Sequence, residues 1–267
     1  MGGSLLLAGC GGGGDPVALA DSYFRNFAGG RYEAQYMQLL PEARKMERKE
    51  TFVDYQQRRA LRRKFLTHEM VGTRPKEIKS PWRALFKVSW ETPAGGKETS
   101  WKGLTLVKKG GRWWVADTPS VRENAQNAYM AGEFSRATMI LEEALKLNPT
   151  DAESLDLLGY VFRDNSALRN NLDMAIEVHR EAVRLEPRNP DWHHSLGNDY
   201  RLLGWFSGAV EELNKAIDID PRPHYYVWLG VAYASATKLD AARAAWREAL
   251  KLDPDSAQAH AFLEKIR

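Results

Sequence analysis

A group of residues that recurs in the second half of the chain constrains its fold more than any other feature. Each occurrence has a Leu-Gly pair with an aromatic residue three positions after the glycine: Leu158-Gly159 with Phe162, Leu196-Gly197 with Tyr200, and Leu229-Gly230 with Tyr233. Two alanines and a proline then follow. Successive prolines lie 38, 34 and 33 residues apart, at Pro149, Pro187, Pro221 and Pro254. A repeat of this length predicts helix pairs that bury their apolar faces only by stacking on one another.

The residue types of the repeat fit a helix–turn–helix unit. Glycine and small alanines allow neighbouring helices to approach closely, and the proline ends the second helix. An earlier unit has only the second half of the pattern, with Gly132, Ala137, Leu141, Ala144 and Pro149. The pattern resembles the tetratricopeptide repeat. This resemblance implies an all-α superhelix of four units over residues 119–267, with a longer turn at 164–171 and a final capping helix at 257–267.

The first half of the chain predicts helices followed by strands. Apolar residues at helical spacing end at Gly29-Gly30 in a first helix and at Pro41 in a second, and a third helix is predicted over 49–67. Strict alternation over Ala84–Trp90 predicts a strand, preceded by another within 68–78. Glycine pairs at 95–96 and 110–111 then predict two hairpins, the second leading into Trp-Trp-Val.

This order of elements, three helices and then a curved antiparallel sheet, resembles the nuclear-transport-factor-like family. The resemblance covers residues 15–118 and implies an α+β domain with a cone-shaped cavity. Some members use a cavity Asp or His as a general base, and Asp54 and His68 are the residues that such a role would use here. Alternatively, both are ordinary surface residues, and the tryptophans of the sheet fill a solid core instead of lining a pocket for a small hydrophobic ligand.

Other signatures of chemistry are missing from the sequence. It has no nucleophile elbow and no phosphate-binding loop. His193 and His194 are adjacent, whereas zinc ligands on a helix are spaced at i and i+4. We therefore predict that the chain is not an enzyme and binds neither a metal nor a cofactor.

The single cysteine of the chain lies in a short motif near its beginning. Leu7-Ala8-Gly9-Cys10 resembles the lipobox of bacterial lipoproteins, and residues 11–14 are all glycine. The resemblance implies a lipid on Cys10, a flexible tether up to residue 14, and a location at the outer membrane facing the periplasm. The apolar run before Cys10 is shorter than a secretory signal requires, and no Lys or Arg precedes it. The alternative is an incidental cysteine at a glycine-rich end of a cytoplasmic protein.

Charge is distributed unevenly along the chain. Residues 15–117 carry 21 Lys and Arg against 12 Asp and Glu, whereas residues 118–267 carry 17 against 23. Five cations cluster on the predicted third helix: Arg58, Arg59, Arg62, Arg63 and Lys64. This basic face would suit an anionic lipid surface, and the alternative is a solvated helix face. We predict no nucleic-acid partner.

The repeat register predicts which residues line the concave groove of the superhelix. Carried over from the family, the positions are Arg122, Gln126, Tyr129, Asp156, Tyr160, Arg163, His194, Asn198, Arg201, His224 and Val227. Their mixed charges and aromatic rings suit an extended peptide or a partner helix. The paired lysines with which some relatives bind a C-terminal carboxylate are missing.

We therefore predict a non-enzymatic scaffold or adaptor for a protein partner, anchored to the membrane through Cys10. One alternative is a first domain that binds or converts a small hydrophobic ligand and is localised by the repeats. In the other, the groove is ordinary surface or is filled by the first domain.

Overall fold

The computed structural model describes residues 15–46, 48–62, 64–70, 82–167 and 170–266. The chain divides into two compact units, of which unit 1 ends at Ser154 and unit 2 begins at Leu155. Each unit is described by itself below. The domain limits expected from the sequence, with a boundary after residue 118, stay a prediction.

Four helices precede the sheet in the described part of unit 1, where the sequence predicted three. They are α1 (Pro16–Ala28), α2 (Tyr32–Met37), α3 (Pro41–Met46) and α4 (Lys49–Arg62). The difference arises at Pro41, which ends the second apolar pattern and also begins a new helix, as proline does at a first helical position. Asp15 caps α1 by accepting a hydrogen bond from the backbone N–H of Val17 at 3.0 Å.

A four-stranded antiparallel sheet follows, in the order β1-β2-β3-β4. Its strands are β1 (Lys64–Met70), β2 (Trp82–Glu91), β3 (Lys97–Lys109) and β4 (Arg112–Val115). Both predicted hairpins are confirmed, and their turns contain glycines with positive φ at 95, 110 and 111. The third helix was predicted to run through residue 67, which is wrong, because residues 64–67 belong to β1, which pairs with β2. The rest of the strand predicted up to residue 78 lies outside the described residues.

Aromatic rings fill the space between α1 and the inner face of the sheet. The alternating residues of β2 place Phe86 and Trp90 on that face, and both are almost fully buried. Phe24 of α1 lies 5.0 Å from Phe86 between ring centroids, and Phe27 lies 5.5 Å from Trp90. Among the described residues these rings belong to one buried core. The ligand pocket and the filled core that the sequence left open both stay predictions.

The rest of the described chain is helical and confirms the predicted helix pairs. The first pair, α5 (Pro119–Met130) and α6 (Phe134–Leu147), lies in unit 1. Then come α7 (Ala152–Asp164) with α8 (Asn171–Leu185), α9 (Pro190–Leu203) with α10 (Phe206–Ile219), α11 (Pro223–Ser235) with α12 (Leu239–Leu252), and the last helix α13 (Ala257–Lys265). The long turn of the second pair falls between α7 and α8, as predicted.

Unit 1 contains buried charges next to the sheet. Glu153 accepts hydrogen bonds from Arg83 at 2.8 Å and from the backbone N–H of Gly103 at 3.1 Å. Arg122 pairs with Asp117 at 2.8 Å and with Asp151 at 2.6 Å. These contacts join the start of the repeats to β2 and β3, so the first helix pair and the sheet form one compact unit.

Candidate functional site

In unit 2 the first helices of the repeats, α7, α9 and α11, carry a set of polar and aromatic side chains that are neither fully buried nor fully exposed. We call this set the first-helix face, and it consists of Tyr160, Arg163, Asn198, Arg201 and Trp228. Tyr160 and Asn198 each follow the leucine of a Leu-Gly pair by two positions, and Arg163 and Arg201 follow it by five. The repeat therefore places the two arginines at equivalent positions of consecutive units.

Arg163 lies on the α7 side of this face. Its guanidinium group lies 4.4 Å above the ring of Tyr160, and its Nε donates to Asp164 at 3.0 Å. The Nη1 atom lies 3.7 Å from Oδ1 of Asp199, which is too long for a hydrogen bond. Among the described residues, neither of these two buried atoms has a hydrogen-bond partner. Arg163 is thus charged, and one of its N–H donor atoms makes no hydrogen bond with a described residue.

Arg201 lies on the α9 side and contacts α11. Its Nε and Nη2 donate to Oδ1 of Asn198 at 3.0 and 2.8 Å, and its guanidinium group lies 5.5 Å from the ring of Trp228. In the part of the chain that the structure describes, no carboxylate lies within salt-bridge distance of Arg201. Burial and the positive charge of Arg163 lower the pKa of Arg201. An anion at this place would therefore be favourable.

A buried hydrogen-bond network lies beside the face and joins three helices. Ser195 of α9 donates to Oδ1 of Asp156 at 2.6 Å, and the hydroxyl of Tyr160 lies 2.8 Å from Oγ of Ser195. His179 of α8 pairs through Nδ1 with the fully buried Asp199, while its Nε2 lies 3.1 Å from the backbone oxygen of Asp156. These contacts fix the first-helix face relative to α8.

Three titratable groups of the network have raised pKa values: Asp156, Tyr160, whose hydroxyl is affected chiefly by burial, and His179. Burial raises the pKa of Asp156 to about 6, although the charge of His179 and the hydrogen bond from Ser195 oppose this shift. Burial alone would lower the pKa of His179, but the hydrogen bond and charge of Asp199 outweigh it, so the pKa is raised. The imidazolium is thus held by Asp199 inside the unit and has a positioning role.

His194 is surrounded by rings from α11. Its centroid lies 5.5 Å from those of His224 and Tyr225 and 6.2 Å from that of Trp228. Burial lowers its pKa to about 3, so the imidazole is neutral at ordinary pH. Its Nε2 is buried and has no hydrogen-bond partner within the described ranges.

Two of the predicted groove residues are not available to a partner. Val227 is only 2% exposed and packs in a cluster with Trp246 of α12, so its assignment to the groove surface is wrong. The helix turns Val227 toward α12 and presents Trp228 instead. Arg122 lies in unit 1, where its two internal ion pairs take up its charge.

The other predicted groove residues differ in exposure. Gln126 is exposed and Tyr129 is half-buried on α5 of unit 1, whereas His224 is exposed at the start of α11. Tyr160, Arg163, Asn198 and Arg201 belong to the first-helix face, and Asp156 and His194 lie beside it. Their role in binding stays a prediction.

The basic face predicted on the third helix is largely neutralised where the structure describes it. Arg58 pairs with Asp54 at 2.9 Å and with Glu123 at 2.8 Å, and Lys64, which belongs to β1, pairs with Glu91 at 3.0 Å. The guanidinium group of Arg59 lies 4.9 Å over the ring of Trp90. The side chain of Arg62 and all of Arg63 lie outside the described residues. The described cations thus have partners within unit 1, and both the lipid-binding surface and the solvated helix face stay predictions.

The two candidates for a general base do not form a common site. Asp54 is an exposed residue in an ion pair with Arg58. His68 has Nε2 at 2.9 Å from Oδ1 of Asp21, and its ring stacks on Phe24 at 4.7 Å between centroids. The sequence missed Asp21 as the partner of His68. It also missed Ser195, His179 and Asp199. The density of polar residues near Leu196 was a signal for Ser195 and Asp199 alone.

Two further findings concern the described residues alone. No three His, Cys, Asp or Glu side chains come together there in a way that could hold a metal ion. No helix among them has the length and apolar character of a membrane span. Cys10 and the tether up to residue 14 lie outside them.

Comparison with protein families identifies the helical region. Residues 193–223 and 223–256 each match a family model described as tetratricopeptide repeat. The helical region contains tetratricopeptide repeats. Such repeats generally act as scaffolds for protein–protein interaction.

Relatives and solved structures agree with this assignment. The BBSome complex member BBS4 of Bos taurus is 35% identical over 89 residues, which are 33% of this chain and 16% of that protein. The TPR repeat-containing protein YvcD of Bacillus subtilis is 27% identical over 94 residues, or 35% of this chain and 19% of that protein. The chain thus spans less than a fifth of these relatives' lengths.

Among solved structures, a thermophilic TPR protein of Thermus thermophilus has a TM-score of 0.52 at 22% identity, with 56% of this chain and 81% of that chain covered. PilF of Pseudomonas aeruginosa has a TM-score of 0.51 at 18% identity, with 55% and 66% covered. At this identity the likeness concerns the fold alone.

Proposed function

We propose that the chain is a non-enzymatic adaptor whose repeats bind a segment of a protein partner on the first-helix face. The observation that carries the proposal is the composition of this face in unit 2. Two arginines occur at equivalent positions of consecutive repeats, two aromatic rings lie over them, and all four side chains keep part of their surface accessible. Arginine and aromatic side chains are enriched where proteins bind one another.

A face of this kind suits an extended peptide or a helix. Consecutive first helices supply polar contacts from Asn198 and the arginines, and flat apolar surface from the rings of Tyr160 and Trp228. Several modest contacts in a row give specificity for a segment, whereas a small molecule needs a deep enclosed site.

The non-enzymatic character of unit 1 is part of the proposal. Its support is that Asp54 is exposed and ion-paired, and that aromatic rings fill the space between α1 and the sheet. The order of helices and then an antiparallel sheet remains the basis for relating this unit to the nuclear-transport-factor-like family.

Membrane anchoring is the remaining part of the proposal. The lipobox-like motif at Cys10 supports lipid attachment and a location at the outer membrane, facing the periplasm. In this arrangement the glycine tether allows the repeats to reach a partner near the cell envelope.

The partner-binding part can be tested by photo-crosslinking in cells. A photoreactive amino acid is placed at His224, which is exposed on α11, and in a control chain at Arg184, which is exposed on α8. We expect crosslinks to one protein from position 224 and none from position 184. Equal crosslinking from both positions, or none from either, would contradict binding at the first-helix face.

The anchoring part has a separate test. Wild type and Cys10→Ser are labelled with radioactive palmitate in a bacterial host, and membrane and soluble fractions are compared. We expect label and membrane association in the wild type and neither in Cys10→Ser. An unlabelled wild type that stays in the soluble fraction would favour the cytoplasmic alternative.

A further inference from the structure

Arg201 makes no ion pair with the described residues of unit 2, whereas two other cations of this unit make two ion pairs each. Arg222 pairs with Asp191 and Asp220, and Lys215 pairs with two glutamates. Arg201 is half-buried but has only the neutral Asn198 as a hydrogen-bond partner in the described part of the unit. A partly desolvated guanidinium without an anion is unfavourable, and a carboxylate supplied by another molecule would relieve the cost.

Arg163 adds a second guanidinium to the same place. The positions are equivalent in consecutive units, and the charge of Arg163 is close enough to lower the pKa of Arg201. Asp164 neutralises part of Arg163, and Asp199 is held by His179. The Nη1 atom of Arg163 is buried and faces Asp199 at 3.7 Å, so Arg163 contributes its positive charge to this place and not that donor.

The aromatic rings orient both arginines. A guanidinium group that lies over a ring directs its N–H donors outward along its edge, where a carboxylate can accept two parallel hydrogen bonds. Trp228 plays this role for Arg201 at 5.5 Å, where Asn198 accepts from Nε and Nη2 but no described residue accepts from Nη1. Tyr160 lies 4.4 Å from Arg163, whose Nε and Nη1 face Asp164 and Asp199.

We propose that the partner segment carries an Asp or Glu side chain whose carboxylate binds between Arg163 and Arg201. The inference rests on the proposed function and names the chemistry of its partner. The rings of Tyr160 and Trp228 then contact the residues on either side of the acidic one. The same carboxylate chemistry could come from a C-terminus, so the test separates the two sources.

The test uses the full chain and arrays of random 12-residue peptides, one array with amidated C-termini and one with free carboxylates. Peptides that bind are resynthesised with a fluorescent label, and their Kd is measured by anisotropy. The variants are Arg201→Gln, Arg163→Gln and the matched control Arg184→Gln, which removes an exposed arginine of α8. Arg201 pairs with no carboxylate of the described chain, so Arg201→Gln leaves every such carboxylate with its partner. This variant therefore tests the site even if Arg163→Gln unfolds.

We expect amidated peptides enriched in Asp or Glu at one position. Changing that residue to Asn or Gln should weaken binding at least about tenfold, as the loss of a charged hydrogen bond does. Arg201→Gln should cause a similar loss with the acidic peptide and little further loss with its neutral counterpart, while Arg184→Gln has no effect.

The remaining outcomes contradict the inference in different ways. If binding depends on Trp228, as shown by Trp228→Ala, but not on the acidic residue, the adaptor function stands and the carboxylate site does not. If only peptides with free carboxylates bind, the anion is a C-terminus and not a side chain. If no peptide is sensitive to Trp228→Ala or Arg201→Gln, the proposed function fails as well.

Discussion

The imidazole ring of His179 lies directly over Gly159, so that a Cβ atom at position 159 would overlap with the ring. Gly159 belongs to α7 and His179 to α8, and the missing side chain is what allows the two helices to approach. We therefore expect Gly159→Ala to lower the free energy of unfolding of unit 2 by about 1–3 kcal/mol, the usual cost of overpacking a filled interior. Urea unfolding followed by circular dichroism measures this change.

Gly197→Ala provides the control for this prediction. A Cβ at position 197 would lie 3.0 Å from Cγ of Leu213 and 3.2 Å from the backbone oxygen of Ala209, contacts that need a shift of only a few tenths of an ångström, whereas a Cβ at position 159 would overlap with the ring of His179. Its effect should be smaller than that of Gly159→Ala. Equal or reversed effects would mean that the histidine ring moves away easily and does not set the helix spacing.

A second prediction concerns the buried charges of unit 1. Burial alone would raise the pKa of Glu153, but Lys102, Arg83 and Arg122 outweigh it and hold the pKa well below its usual value. Glu153→Ala removes from a buried site the anion that Arg83 and Lys102 both contact, while Asp117 and Asp151 still balance Arg122. We expect a loss of about 3–5 kcal/mol in the free energy of unfolding. Thermal and chemical unfolding of the full chain measure it.

Glu143→Ala is the matched control, because Glu143 is an exposed glutamate that pairs only with Lys146 in the described contacts. Its removal should change stability by less than about 0.5 kcal/mol. The contribution of Glu153 should also decline in acid, since a carboxylate with a lowered folded-state pKa stabilises above its unfolded-state pKa and loses this effect as it is protonated. If Glu153→Ala is as stable as Glu143→Ala, water solvates the cations when Glu153 is absent, and the prediction is wrong.

The helices and hairpins could be predicted because their signals are local. The Leu-Gly pairs, the alanines and the prolines specify each helix pair within its own unit, and Gly110-Gly111 specifies a tight turn by its positive φ. The junction of α4 and β1 was harder to predict. Residues 64–67 follow a helical pattern without a break, and only pairing with β2 makes them a strand.

The candidate site shows the same limit. Register arguments placed Arg163 and Arg201 together, because equivalent positions in a repeat face the same way, and their role in binding stays a prediction. They could not find the partners of His179, since Asp199 and Asp156 lie 20 and 23 residues away on other helices. They also misplaced Val227, because α11 is apolar around its circumference and lacks a periodic pattern that would separate buried from exposed positions.

The position of Val227 leads to a third prediction. Since the side chain packs against α12 in the core, Val227→Ala should lower the free energy of unfolding by about 1–3 kcal/mol through the lost methyl groups and the cavity. His224→Ala, at an exposed position three residues earlier, should change stability by less than about 0.5 kcal/mol. Urea unfolding of both variants measures these changes. An unchanged free energy of unfolding for Val227→Ala would mean that the side chain is not packed in the core.

The last prediction concerns pH. The pKa of Asp156 is raised by burial from 3.8 to about 6, so the native state binds this proton more tightly than the unfolded chain does. Its contribution to the free energy of unfolding is therefore full below pH 3.8 and is lost as the pH rises through about 6. Asp156→Asn cannot titrate, yet its Oδ1 still accepts the hydrogen bond from Ser195.

We expect the free energy of unfolding of Asp156→Asn, relative to that of the wild type, to increase as the pH rises from 3.8 to about 6. Urea unfolding at a series of pH values gives this difference directly.

His194 has the opposite dependence, because its pKa is lowered to about 3 and stability rises with pH as the unfolded imidazole loses its proton. That contribution is present in both proteins and cancels in the difference. His179, Asp191 and Asp199 also act on Asp156, and of these His179 opposes the shift. Parallel stability curves for the two proteins would mean that Asp156 stays ionised and that solvent reaches its carboxylate.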